Sequence, residues 1–270
     1  MNSLFNAILS MGGVGLTFGV LLAIADEKLK VEVNPLEESI LEALPGANCG
    51  ACGYPGCSGY AHQLSLGNLS PDKCVAGGQD LADKLGGILG VKVEQKEKII
   101  AYVKCQGRKD KAAEIFEYDG FPDCQTAVLV SCGSKACIFG CLGLGTCARV
   151  CPFKAIKMNP DTGLPEIDGT LCTSCGICVT ECPKNIMALV PEKNKVEIRC
   201  SSSEKGVEVK KKCTIGCIAC QICVKKCPEN AITMEDNLAK IDYNKCTNCL
   251  QCVSVCPTKA IYTSPKSTKV

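Results

Sequence analysis

The sequence contains no tryptophan and only one histidine, His62. Because histidine is the usual acid or base near neutral pH, histidine-dependent catalysis is limited to this one candidate. We interpret His62 as a residue on a helix surface or in packing, and no nucleophile–base arrangement is present. The formal net charge is only +2. Since no stripe of basic and aromatic residues occurs either, the sequence does not indicate a nucleic-acid-binding protein.

Charged side chains are absent between Met1 and Ala25. As a helix, the run from Leu4 to Ala25 would be about 33 Å long, which matches the hydrocarbon core of a bilayer. We therefore expect a transmembrane anchor over residues 1–26. The alternative is a signal peptide, because Ala23-Ile24-Ala25 resembles a cleavage site, but the first residues lack the Lys or Arg of such a signal.

Cysteine, by contrast, is abundant, with 25 cysteines among 270 residues. Such a level indicates either a disulfide framework or a metal protein. The odd count, the close tandem grouping and the lack of a convincing export signal argue against disulfides, since cytosolic thiols stay reduced. A zinc ribbon is the other alternative, but a third cysteine two residues on, followed by Cys-Pro, is not typical of zinc ribbons.

Three runs have the form Cys-x-x-Cys-x-x-Cys-x-x-x-Cys-Pro and begin at Cys172, Cys217 and Cys246. In this bacterial ferredoxin pattern, three cysteines hold one [4Fe–4S] cluster and the fourth ligates the neighbouring cluster. The spacing therefore predicts a protein that moves electrons. For the C-terminal part it predicts two ligand sets: Cys217, Cys220, Cys223 with Cys256, and Cys246, Cys249, Cys252 with Cys227.

An earlier segment departs from the regular pattern in its first half, which reads Cys-x3-Cys-x5-Cys-x3-Cys-Pro. The same crossover rule predicts two sets here: Cys137, Cys141, Cys147 with Cys182, and Cys172, Cys175, Cys178 with Cys151. Each Cys-Pro precedes an apolar pair that is expected to begin a strand. These pairs are Ala155-Ile156, Ile186-Met187, Ala231-Ile232 and Ala260-Ile261.

A different module comes before the ferredoxin patterns. Asn34-Pro35 is expected to begin a helix, because a capping side chain precedes a proline at the first helical position. A glycine-rich loop and a second helix, from about Ser58 to Leu69, then carry four thiols that predict one more [4Fe–4S] site: Cys49, Cys52, Cys57 and Cys74. We expect Leu81 to Val93 to be the exit from this module and a linker.

Five cysteines lie outside these motifs: Cys105, Cys124, Cys132, Cys200 and Cys213. We hypothesise a sixth cluster held by Cys105, Cys124, Cys200 and Cys213, because six clusters would then use every thiol except Cys132. The alternative is that some of these residues are buried structural thiols. The sequence therefore predicts five [4Fe–4S] clusters and leaves a sixth open.

Two further features concern the surroundings of the clusters. The lysines Lys210, Lys211, Lys212, Lys225 and Lys226 either offset the negative charge of clusters or form a solvated basic face. The segment Gly143 to Ala148 matches a dinucleotide fingerprint, but it lies among predicted cluster ligands and contains one of them. We interpret it as a cluster turn, and we expect NAD and flavin to be bound by partner subunits.

The predicted fold class is α+β, with an N-terminal transmembrane helix, a small helical [4Fe–4S] domain and two tandem bacterial ferredoxin-like modules. The expected limits are 1–26 for the anchor, 32–91 for the [4Fe–4S] domain, 92–135 for a connecting region, 136–190 for the first ferredoxin module, 191–212 for a connecting hairpin and 213–270 for the second ferredoxin module.

This order of anchor, Cys49–Cys74 module and ferredoxin motifs resembles the iron–sulfur B subunit of the Rnf complex, an ion-translocating ferredoxin:NAD oxidoreductase. The resemblance implies that the chain takes electrons from soluble ferredoxin and relays them to membrane and flavin subunits, without a complete active site of its own. It also implies coupling to Na⁺ or H⁺ export, NAD⁺ reduction on another subunit, and ferredoxin docking at the C-terminal modules.

The resemblance further places the cluster near Cys49 closest to the membrane. Because clusters are assembled in the cytoplasm, we expect a single-pass protein of the cell membrane with its bulk on the cytoplasmic side. Three alternatives remain open. One is a polyferredoxin component of a membrane hydrogenase or related enzyme. Another is a reductive partner of a corrinoid protein, although the chain has no cobalamin-binding domain. The third is a structural zinc-binding interaction protein.

Overall fold

The computed structural model describes residues 2–29, 34–95 and 97–263, so the expected domain limits at residues 1, 32 and 270 lie outside the described residues. Its α-helices are α1 (Asn2–Leu29), α2 (Pro35–Ala43), α3 (Gly56–Ser65), α4 (Gly78–Leu89), α5 (Cys124–Ala127), α6 (Thr146–Arg149), α7 (Ile177–Thr180), α8 (Gly206–Lys212), α9 (Ile222–Lys226) and α10 (Gln251–Val255). Its strands are β1 (Ile99–Val103), β2 (Ile156–Met158), β3 (Pro165–Ile167), β4 (Met187–Pro191), β5 (Val196–Ile198), β6 (Ile232–Glu235), β7 (Leu238–Ile241) and β8 (Ile261–Thr263).

Helix α1 has 28 residues, but none of the described helices is sufficiently long and apolar to span a bilayer. Its last turns include the charged residues Asp26 and Lys28. The expected anchor over residues 1–26, the transmembrane helix of the fold class and the single-pass membrane localisation are therefore wrong.

Helices α2, α3 and α4 pack around one apolar core. Helix α2 begins as predicted, because the Asn34 side chain accepts a hydrogen bond of 3.0 Å from the backbone N–H of Leu36. The core contains Ile40, Tyr60, Leu64, Leu81 and Leu85. Leu81 to Val93 was expected to be a linker, and this expectation is wrong for most of the segment. Residues up to Leu89 belong to α4, whose apolar face completes the core.

The strands form four antiparallel pairs: β1 with β4, β2 with β3, β5 with β8 and β6 with β7. Strands β2, β4, β6 and β8 begin at the predicted apolar pairs that follow Cys-Pro, each at the second residue of its pair. The pairs β1–β4 and β5–β8 join distant parts of the chain. Ile99 lies opposite Pro191, and Val196 lies opposite Thr263. Each expected connecting region therefore supplies a strand to the ferredoxin-like module that follows it.

Two irregular segments follow these added strands. The first insert, residues 104–136, follows β1, and the second insert, residues 199–216, follows β5. The inserts are hydrogen-bonded to each other. The backbone N–H of Ala113 donates to the carbonyl of Lys212, and that of Thr214 donates to the carbonyl of Lys111, both over 2.9 Å. Cysteines that are far apart in sequence are thereby brought into one region.

Candidate metal centres

The loop after α2 and the first turn of α3 carry three of the four cysteines that line one cavity. Together they define site A: Cys49, Cys52, Cys57 and Cys74. The Asn48 side-chain oxygen accepts a hydrogen bond of 2.8 Å from the backbone N–H of Cys57, which closes the loop. Burial raises the pKa of the Cys74 thiol, and the thiolates of Cys52, Cys57 and Cys49 raise it further. The structure therefore brings together the four thiols that the sequence grouped.

The second ferredoxin-like module groups its cysteines in the crossed-over way that the regular spacing predicts. Site E consists of Cys217, Cys220, Cys223 and Cys256. Site F consists of Cys227, Cys246, Cys249 and Cys252. Left-handed backbone at Gln221 and Leu250 leads the two cysteine loops into α9 and α10. The backbone N–H of Ala231 donates to Sγ of Cys227 over 3.3 Å, a contact that favours a metal-bound thiolate.

Burial is the main cause of the raised pKa values of the buried thiols in this module. It raises the pKa of Cys223 to about 11, with the neighbouring thiolate of Cys217 adding to the shift. It raises the pKa of Cys252 to about 11 as well, together with the thiolate of Cys246. A buried thiolate is unfavourable without a positive charge beside it, so these cavities suit cysteines whose charge is taken up by a metal.

The regular cysteines of the first ferredoxin-like module form another group. Site B consists of Cys151, Cys172, Cys175 and Cys178. Burial raises the pKa of Cys178 to about 12, and the nearby thiolates of Cys172, Cys175 and Cys151 contribute. The backbone N–H of Ala101 donates to Sγ of Cys172 over 3.4 Å, so β1 covers this site. The grouping is the one expected from the sequence.

The irregular half of this module groups its cysteines differently from the expectation. Site C consists of Cys124, Cys141, Cys147 and Cys182. Cys124 therefore stands where Cys137 was expected. The backbone N–H of Cys124 donates to the Thr146 hydroxyl over 2.8 Å, and that hydroxyl donates to Asp123 over 2.8 Å. These bonds tie α5 to α6, and burial together with the Cys124 thiolate raises the pKa of Cys147 to about 11.

The two inserts together line the fifth cavity. Site D consists of Cys105, Cys137, Cys200 and Cys213. A β-carbon placed on Gly107 would lie 3.5 Å from Sγ of Cys105 and 3.7 Å from Sγ of Cys213, so both sulfurs lie near this glycine. Burial raises the pKa of Cys137, and the thiolates of Cys105 and Cys213 raise it further. Cys137 therefore stands where the hypothesis of a sixth cluster placed Cys124.

The five cavities, which belong to sites A, C, D, E and F, are similar in size. The space that each offers, part of which is open to solvent, ranges from about 330 Å³ to about 410 Å³. In the described ranges, no three His, Cys, Asp or Glu side chains form a group that could hold a metal ion. The four thiols of each of these sites surround a space instead, and the similar dimensions fit the same polynuclear group in each.

Three features singled out in the sequence are not ligands in these groupings. Cys132 is exposed and lines none of the five cavities. His62 lies on α3 with its side chain 57 % exposed, and its Nδ1 is 3.0 Å from the Glu37 carboxylate, as expected for a residue on a helix surface. The glycine-rich segment at Gly143 has φ values of 78° and 74° at its two glycines and leads into the four-residue helix α6, between two ligands of site C.

Family models match the same regions of the chain. A model described as "Putative Fe-S cluster" matches residues 44–76. A model described as "4Fe-4S dicluster domain" matches residues 136–186 and 216–260. These matches agree with the cysteine-lined cavities, so the cofactors of the chain are [4Fe–4S] clusters and its chemistry is electron transfer.

Relatives with closely related names are similar over nearly the whole chain. The B subunit of the Na(+)-translocating ferredoxin:NAD(+) oxidoreductase complex of Acetobacterium woodii is 45 % identical, covering 97 % of this chain and 78 % of the relative. The B subunit of the ion-translocating oxidoreductase complex of Methanosarcina acetivorans is 40 % identical, over 96 % of this chain and 97 % of the relative. The B subunit of the proton-translocating ferredoxin:NAD(+) oxidoreductase complex of Clostridium ljungdahlii is 41 % identical, over 97 % and 93 %.

Proposed function

This chain belongs to the B-subunit family of ion-translocating ferredoxin:NAD oxidoreductase complexes, and we propose that it is the electron relay of such a complex. In this role it takes electrons from a soluble ferredoxin and passes them to flavin- and NAD-binding subunits. The observation that carries the proposal is the continuous succession of cysteine sites through the chain. A [4Fe–4S] cluster supplies one-electron chemistry wherever four thiolates hold it.

We assign one cluster to each of the six sites A to F. The assignment is supported by cavities of similar size at five of them and by four mutually close thiols at site B. It uses every cysteine except Cys132. Apolar side chains around the sites keep water from the sulfurs, which tunes the potential of each site.

Site D connects the two ferredoxin-like modules. On one side, the backbone N–H of Cys141, a site C residue, donates to Sγ of Cys105 at site D over 3.4 Å. On the other side, the backbone amide of Cys217, a site E residue, lies close enough to Cys200 at site D to oppose the rise that burial causes in the pKa of that thiol. Ligands of C, D and E are therefore neighbours in that order.

The remaining neighbours extend this order at both ends. Sites B and C share one buried core, and Cys178 and Cys147 lie close enough for the thiolate of one to raise the pKa of the other. Sites E and F share a second core, with Cys223 near Cys252. After burial and Cys151, the Cys49 thiolate of site A also raises the pKa of Cys175 at site B. We therefore propose the order A–B–C–D–E–F.

Sites E and F, at one end of this order, are suited to receive electrons from a soluble donor. Cys220 at site E and Cys249 at site F are exposed, so an electron entering there has little protein to cross. Exposed lysines lie close in sequence to the cysteines of these sites: Lys225, Lys226, Lys245 and Lys259. A positive surface steers an anionic iron–sulfur protein toward it and speeds association. We propose that reduced ferredoxin docks here and that electrons leave from site A to the partner subunits.

Removing site D tests the proposal. The variant Cys213→Ala, in the anaerobically purified full chain, loses one ligand of the connecting site. When the variant is mixed rapidly with reduced ferredoxin, only the clusters of sites E and F should be reduced at the wild-type rate. The clusters of sites A, B and C should be reduced far more slowly. Spectroscopy at the cluster absorbance follows both phases. Cys132→Ala is the matched control, since it removes an exposed thiol outside the sites.

Two results would contradict the proposal. One is complete and equally fast reduction of the Cys213→Ala variant with its iron content lowered by one cluster. The other is a wild-type iron content far below the roughly 24 atoms per chain that six [4Fe–4S] clusters require.

A further inference from the structure

A buried lysine lies against site D. The side chain of Lys135 is on the first insert, the residue is only 5 % exposed, and it lines the same cavity as the four cysteines of that site. Its ammonium donates a hydrogen bond of 2.6 Å to the backbone carbonyl of Gly107. A β-carbon placed on Gly107 would in turn lie within 4 Å of the sulfurs of both Cys105 and Cys213. The positive charge is therefore held at a fixed place beside the cluster ligands.

Two other charged residues near this cavity form ion pairs. Arg199 lines the cavity too, but its guanidinium donates to the Glu197 carboxylate over 3.0 and 3.1 Å. Glu204, which lies near Cys137, forms an ion pair with Lys212. Among the described residues, no carboxylate forms an ion pair with Lys135. Its charge is therefore available to the cluster thiolates.

A [4Fe–4S] core with four thiolates carries about two negative charges, and reduction adds another. A neighbouring cation stabilises the reduced form more than the oxidised form, and the effect is larger where water is excluded. We propose that Lys135 raises the reduction potential of site D above the value that its ligands alone would give. The positive charge thereby favours passage of an electron between the two ferredoxin-like modules.

The position of Lys135 also limits the effect to part of the molecule. Its charge acts on Cys213 of site D and on Cys141 of site C, and Cys141 lies at the contact between the two sites. We expect the largest change at D, a smaller one at C, and none at A or F. The inference rests on the assignment of a cluster to site D made above.

Substitution of this one residue, measured by potential, tests the inference. Lys135→Met keeps the length and apolar stem of the side chain but removes the charge. In a redox titration of the anaerobic full chain followed by electron paramagnetic resonance, one midpoint should shift to more negative potential at unchanged iron content. Lys135→Gln, which keeps a hydrogen-bond donor for Gly107, should shift the same midpoint.

Two control variants separate charge from structure. Lys135→Arg keeps the charge and should leave the midpoint close to that of the wild type. Lys210→Met removes an exposed lysine from α8 of the second insert and should shift nothing. Cys213→Ala identifies which signal belongs to site D, because that signal alone should disappear.

Unchanged midpoints in both neutral variants, with iron content intact, would overturn the inference. Selective loss of iron in both neutral variants but not in Lys135→Arg would also overturn it, since Lys135 would then be needed for holding the cluster. If the Cys213→Ala variant lost no cluster signal, the assignment of site D would fail instead. The iron analysis and the potentials thus distinguish an error about the lysine from an error about the site.

Discussion

At the scale of the residue, Asp123 selects one of the ligands of site C. Its carboxylate accepts hydrogen bonds from the Thr146 hydroxyl and from the backbone N–H of Thr126, and it pairs with Arg149 over 3.2 Å. The Thr146 hydrogen bond is the main reason why the pKa of this carboxyl is held below its usual range, and Thr126 and Arg149 add to it. Because Asp123 caps α5, its neighbour Cys124 is fixed at the mouth of site C.

The structure places Cys124 in site C and Cys137 in site D, opposite to the expectation from the sequence. Paired substitutions test this assignment. Cys182 belongs to site C. If Cys124 shares its cluster, Cys124→Ala/Cys182→Ala should lose no more iron than Cys182→Ala alone, about four atoms per chain. Cys137→Ala/Cys182→Ala should lose about twice as much, because two clusters are affected. Iron and sulfide analysis of the anaerobic proteins measures both.

The opposite pattern, in which Cys137 rather than Cys124 adds nothing to the loss caused by Cys182→Ala, would support the grouping expected from spacing alone. Cys132→Ala/Cys182→Ala serves as the control for a second cysteine substitution, and it should lose only the iron of site C.

At the scale of the element, the strands were predictable and α4 was not. The apolar pairs after Cys-Pro are local signals, and each leads into a strand. The glycines of α4 suggested a linker, but Leu81 and Leu85 lie on one face of the helix and pack against α2 and α3. Gly86 is required by a close approach, because a β-carbon there would lie 2.8 Å from the carbonyl oxygen of Val91. Tertiary packing outweighs the low helix propensity of glycine here.

The contribution of α4 to the small domain can be measured by shortening one buried side chain. Leu85 is fully buried, so Leu85→Ala should lower the stability of this domain by about 2–5 kcal/mol. Ile88→Ala, at a residue that is 39 % exposed, should have a much smaller effect. Thermal unfolding, followed by loss of helical circular dichroism in the anaerobic full chain, compares the two variants. Equal effects of both substitutions would contradict the packing of α4 described above.

At the scale of the whole molecule, the structure groups the cysteines as the sequence suggests where they follow one another at regular spacing. The sets of sites A, B, E and F follow from local motifs and the crossover rule. Sites C and D did not follow, because Cys124 and Cys137 lie at and beyond the first insert, away from the regular motifs. The path of that insert depends on long-range contacts, such as the bridge between Ala112 and Cys213. Spacing alone favours Cys137, which is nearer in sequence to Cys141 and Cys147. The sequence signal for Cys124 was Asp123, the residue that caps the helix beginning at Cys124.

The membrane helix was expected from the absence of charge, which is an incomplete criterion. Among the described residues α1 does form a helix, but none of the helices is long and apolar enough to cross a bilayer.

The cores of the molecule differ in how far they depend on metal. In the core around sites B and C, the buried residues include Cys105, Cys141 and Cys178, whereas the buried residues of the α2–α4 core are aliphatic or aromatic. Removal of iron should leave buried thiols without their metal in the core around sites B and C. It should change the α2–α4 core little.

Treatment of the full chain with an iron chelator under reducing conditions should therefore expose residues 99–263 to protease before residues 34–91. Limited proteolysis with mass spectrometry follows the order of cleavage, and the untreated protein is the control. Earlier cleavage within 34–91 would contradict the independence of the small domain's core.

Site D also has a consequence for synthesis of the chain. Its ligands come from both inserts and from Cys137, the residue that follows the first insert. The last of them, Cys213, emerges from the ribosome after all ligands of sites A, B and C. Because chains fold from the N-terminus during translation, the first three sites can be complete while the fourth still lacks half of its thiols. A truncated or stalled polypeptide would carry isolated redox centres with no onward connection, and the junction closes only when translation has passed residue 213.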